Sequence, residues 1–128
     1  MNKAEMLVRT KAFALRILKL VDHLPNTISG RAIGNQLIRS ATSVGANYRA
    51  ACRGRSRAEF AAKIGTVAEE ADESLYWLGL VSDGRLLSEA KVAALLKEAD
   101  ELTAIFTTAR RTSTRTPRNQ TLNIKRQT

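Results

Sequence analysis

The chain of 128 residues has a single cysteine, a single histidine, two prolines, and aromatic residues at only 5%. One cysteine allows no internal disulfide, and Cys52 fits a reducing compartment. One cysteine plus one histidine fall short of the three or four ligands that a zinc site takes. Cys52 also lies on an apolar helical stripe, where an inert structural thiol belongs, so His23 and Cys52 make no convincing nucleophile–base pair. The carboxylates Glu69, Glu70, Asp72 and Glu73 lack the Glu-x-x-His pairs of a di-metal bundle, and glycine-rich phosphate loops are missing. No enzyme, metal or cofactor is therefore expected. No apolar run approaches the ~18 residues of a membrane span, and the first residues carry no signal-peptide core. The expectation is a cytoplasmic protein with no membrane partner.

What the chain does have is helical periodicity and a surplus of positive charge. Apolar residues recur every three or four positions in four segments. The first runs from about Ala4 to His23, with Met6, Phe13, Ile17, Leu20 and Leu24 on one side, and stops before Pro25. The second starts near Ser29, read as its cap, and reaches about Arg53 before Gly54. Ile33, Leu37, Ala41, Val44, Tyr48 and Cys52 form its core side. Ser56 and Glu59 make a capping box for the third, which carries Phe60, Ile64, Val67, Ala71, Leu75 and Leu78 to Ser82-Asp83-Gly84. The fourth starts near Ser88, carries Val92, Leu95, Leu96, Ala99, Leu102, Ile105 and Phe106 on its core side, and fades at Ala109-Arg110-Arg111. Short loops between such helices predict an all-α, antiparallel up-down four-helix bundle over residues 1–111. Residues 112–128, rich in threonine and arginine, read as a basic, flexible tail.

The net charge of +9 is unevenly spread. Residues 1–57 hold 11 basic and 2 acidic groups, residues 58–109 hold 4 and 10, and residues 110–128 hold 6 and none. No acidic residue falls between Arg31 and Arg57. Along the second helix, Arg31, Asn35, Arg39, Thr42, Ala46, Arg49 and Arg53 follow one face opposite the core, and Arg55 and Arg57 follow it. Arg9, Arg16 and Lys19 share a face of the first helix. A guanidinium is planar, always charged and donates two hydrogen bonds to phosphate. These nine cations are the expected contacts to RNA or DNA, made through the phosphates and with little sequence preference. The acidic third helix offers the alternative, a protein–protein adaptor in which Glu70, Glu73 and Trp77 meet the basic half of another subunit. Trp77 also has the chemistry to stack on a base, whereas Tyr48 belongs to the core stripe.

The segment from Ile33 to Asn47, reading Ile-Gly-Asn-Gln-Leu-Ile-Arg-Ser-Ala-Thr-Ser-Val-Gly-Ala-Asn, resembles the signature of the four-helix bundle proteins named after intervening sequences in ribosomal RNA genes. Glu59-Phe60-Ala-Ala-Lys63-Ile64, Glu73-Ser-Leu-Tyr-Trp77-Leu78 and Asp83-Gly84-Arg-Leu-Leu-Ser-Glu89 are similar to further stretches of it, so that the resemblance spans roughly residues 5–108. It implies a bundle assembled as a ring-shaped homopentamer. It also implies kinship with the accessory protein of diversity-generating retroelements, which binds nucleic acid and a reverse transcriptase. A reverse transcriptase or another nucleic-acid enzyme is then a candidate partner, with Arg39, Arg49 and Arg53 at the corresponding basic surface.

Overall fold

The computed structural model describes residues 2–127, with side chains through Thr114. All of its secondary structure is helical: α1 (Lys3–Val21), α2 (Ile28–Cys52), α3 (Arg57–Asp83) and α4 (Glu89–Gln127) make a four-helix bundle. Each of the first three helices starts where a side chain takes up an orphan backbone donor. Asn2 accepts from the Glu5 amide at 2.8 Å, and Ser56 from the Glu59 amide at 3.1 Å. The Glu59 carboxylate reaches back to the amide of Arg55 rather than to that of the capping serine. The second start differs from the sequence expectation. Thr27, not Ser29, caps α2 by accepting from the Gly30 amide at 3.1 Å. The Thr27 amide is itself turned onto the Pro25 carbonyl at 2.9 Å, which sets the helix going two residues earlier.

The end of α3 is also specific. Leu86 donates to the Val81 carbonyl and Arg85 to that of Ser82, the paired pattern of a Schellman stop. The residue in the left-handed conformation is Arg85, with φ of 55°. Gly84, expected to end the helix, sits one position earlier with an ordinary negative φ.

The core is built from the predicted stripes. Phe13, Ile17, Leu37, Val44, Ile64, Val67, Leu78, Val92, Leu102 and Phe106 are fully buried. Tyr48 lies against Phe106 with ring centroids 5.3 Å apart. Ile33, Leu75, Leu96, Ile105 and Cys52, at the edges of the stripes, are half-buried. Between α2 and α3 the buried hydroxyls of Ser40 and Ser74 share a hydrogen bond of 3.0 Å. No buried side-chain polar atom among the described residues is left without a partner.

Consecutive helices pack along their lengths, whereas α1 and α4 meet only sparsely. Ion pairs bridge α1 to α4 at Arg9, α2 to α3 at Arg39 and α4 to α3 at Arg110. Residues 112–114 of the expected tail continue α4, and the hydroxyls of Thr112, Ser113 and Thr114 donate to carbonyls one turn back. The tail's remaining basic residues, Arg115, Arg118, Lys125 and Arg126, lie outside the residues with described side chains.

Candidate nucleic-acid interface

The arginines that look equivalent in the sequence have different surroundings in space. Arg9 points from α1 onto α4. Its Nε and Nη2 donate to the two oxygens of Glu98 at 2.9 and 2.6 Å, and Nη2 also reaches Glu101 at 2.8 Å. The hydrogen bonds from Arg9 hold the Glu98 carboxyl below its usual pKa, against the opposing effect of burial. Arg39 points from α2 onto α3, where Nη1 donates to Glu70 at 3.2 Å and Nη2 to Glu73. The second stripe is thus uncompensated along its own helix but not across the bundle. Glu73 further accepts from Trp77 Nε1 at 3.1 Å. Glu70, Glu73 and Trp77, expected at a subunit contact, are already linked to Arg39 within the chain. The exposed aromatic on that side is Tyr76, set edge-on to Trp77.

Arg49 and Arg53 are placed otherwise. Together with Lys3 and Lys11 of α1 they stand around an open groove of about 670 Å³ between α1 and α2. Thr10, Thr42, Gly45 and Ala46 lie along it, and no carboxylate does. The small residues leave the groove open, and at Gly45 a Cβ would be in ordinary contact, 3.5 Å, with the Thr10 backbone. Arg49 and Arg53 are exposed, and none of the four cations has an ion-pair partner among the described residues. Cys52 lines the same groove, half-buried. Its thiol adds to the effect of burial on Tyr48, whose phenol is pushed up to about 12 and stays neutral. Tyr48 is a core residue and not a surface for stacking a base.

Lys3 and Lys11 were not singled out in the sequence, although a signal exists: with Leu7, Thr10 and Ala14 they recur on one side of α1. The grouping of Arg9, Arg16 and Lys19 instead selected the side facing α4. Arg16 and Lys19 lie with His23 and Lys91 around a separate hollow there. Arg31 is exposed and donates to Asn26 at 2.8 Å, and Arg55 in the α2–α3 connection and Arg57 at the start of α3 are exposed. Among the described residues no cluster of histidine, cysteine, aspartate and glutamate could hold a metal ion, and no helix is long and apolar enough to cross a membrane.

The sequence model of a family described as 23S rRNA-intervening sequence protein matches residues 2–108. No curated protein matches the chain. A solved structure from Bacteroides thetaiotaomicron, described as a protein of unknown function from the S23 ribosomal protein family, is 28% identical. It superposes with a TM-score of 0.76 over 82% of this chain and 97% of its own.

Proposed function

The chain belongs to the 23S rRNA-intervening sequence protein family, and from that premise we propose that it is a non-enzymatic, cytoplasmic nucleic-acid-binding protein that holds phosphates in the α1–α2 groove. The observation that carries the reading is the quartet Lys3, Lys11, Arg49 and Arg53 around one groove with no carboxylate to neutralise it. Arg31, Arg55 and Arg57 extend the positive surface, whereas Arg9 and Arg39 fasten helices together. Such contacts address the backbone of RNA or DNA and leave the bases unread. The connections at residues 22–27, 53–56 and 84–88 are short enough for antiparallel neighbours, and that arrangement belongs to the same reading.

The test is anisotropy binding of a labelled single-stranded RNA and a DNA duplex across a salt series. Each lost phosphate contact lowers the slope of log affinity against log salt by about 0.7 on single strands and about 0.9 on duplex. Arg49→Ala with Arg53→Ala is expected to flatten the slope by roughly 1.4 to 1.8, two contacts' worth. Arg39→Ala is expected to leave it unchanged. A slope insensitive to the Arg49/Arg53 pair overturns the assignment of the groove.

A second reading, an adaptor or ring-forming subunit, is favoured by an apolar ridge on the outside of α1. Val8, Leu15 and Leu18 are 71%, 51% and 40% exposed, more than a lone surface residue needs. A homopentamer, with a nucleic-acid enzyme such as a reverse transcriptase as further partner, is compatible with both readings. Light scattering fixes the mass. Val8→Ser with Leu15→Gln, which add no charge beside Lys11, are expected to release monomers while leaving the charge of the groove intact.

A further inference from the structure

The hollow on the other side of α1 differs in kind from the groove. It lies between the last turn of α1 and the first turns of α4 and measures about 390 Å³, within the usual range for small-molecule pockets. Arg16, Lys19, His23 and Lys91 stand around it, and Leu20 and Leu95 form its floor. Both leucines are almost fully buried. No carboxylate lines it. The nearby Glu98 feels Arg16, but both its oxygens accept from Arg9. The His23 ring is fixed by its Nδ1, which donates to the Lys19 carbonyl at 2.9 Å and leaves Nε2 for another partner.

A cationic rim over a hydrocarbon floor selects for a ligand built the same way. The floor holds no donor or acceptor with which to read a base edge, and the one ring at the rim, the His23 imidazole, is tied to the Lys19 carbonyl. Phosphates alone would leave the leucines uncovered. We propose that this hollow binds a small amphipathic anion, a hydrocarbon body ended by one carboxylate. The body lies on Leu20 and Leu95, and the head sits between Lys19 and Lys91. Lys and Arg stems are suited to such a rim, because their methylenes continue the apolar surface while the charge stays at the water boundary.

The probes are hexanoate, octanoate and decanoate, followed by the methyl resonances of Leu20 and Leu95 on the full chain. Saturable shifts are expected, with affinity rising about fourfold per added methylene until the hollow is full. Decanol, of equal length and no charge, is expected to bind markedly more weakly. Lys19→Gln with Lys91→Gln, both on exposed side chains, is expected to weaken decanoate about tenfold. Lys91→Gln alone, on a residue outside the expected nucleic-acid contacts, is expected to weaken decanoate while nucleic-acid affinity stays within about twofold. No shift at millimolar ligand overturns the proposal. So does decanol binding as well as decanoate, or an unchanged decanoate affinity in the double variant.

Discussion

At the scale of single residues, the free-energy role of an arginine here depends on which helix it faces. Arg9 and Glu98 form a two-pronged pair across the α1–α4 seam, with the Glu98 side chain only 14% exposed. Charge-assisted bonds of this geometry are the stronger ones. Because the hydrogen bonds from Arg9 hold the folded Glu98 carboxyl below the usual carboxylate range, its contribution is fully present above that range. It is lost as pH falls through the lower folded pKa. Glu98→Gln is expected to cost about 1 kcal/mol at neutral pH, part of the pair's worth being kept by Glu101. In urea titrations the variant and the parent should converge as the pH is lowered toward 3. An equal gap at pH 7 and pH 3 would show that packing, and not charge, is what the substitution removes.

At the scale of elements, helix ends show where local sequence suffices and where it does not. Ser56 and Glu59 announce the start of α3 because the pairing is local to four residues. The start of α2 was less legible, since Thr27 and Ser29 are both good caps. The choice is made by the turn at Pro25, which puts the Gly30 amide under Thr27. That turn also explains Gly30: a Cβ there would stand 2.0 Å from the Pro25 carbonyl oxygen. Gly30→Ala is expected to destabilise by about 2 kcal/mol or more. The end of α3 predicts the opposite sign. Arg85 occupies a left-handed position that glycine takes without strain. Arg85→Gly is expected to stabilise by about 0.5–1 kcal/mol, after the extra chain entropy of glycine is subtracted. Thermal and urea unfolding of the two variants check both signs.

At the scale of the whole molecule, the four stripes of the core were legible because the 3.6-residue period needs no knowledge of neighbours. Phe13, Leu37, Ile64 and Phe106 were placed by it and are buried. Which cations remain free was not legible, because that depends on how each helix is rotated against its partner. One turn of α1 sends Arg9 toward the acids of α4 and Lys11 toward Arg49. The same acids that made residues 58–109 look like a separate charged half are partly consumed in closing the seams. α1 is therefore held more extensively by α2 than by α4, where the Arg9 clamp adds to a sparse packing. In native-state hydrogen exchange, α1 amides should open together at lower denaturant than those of α3, as the least-attached unit. The clamp's acids lie 89 and 92 residues downstream of Arg9. On the ribosome, α1 must therefore wait for the later α4 before its seat is complete, and until then the apolar side of α1 has only α2 for cover.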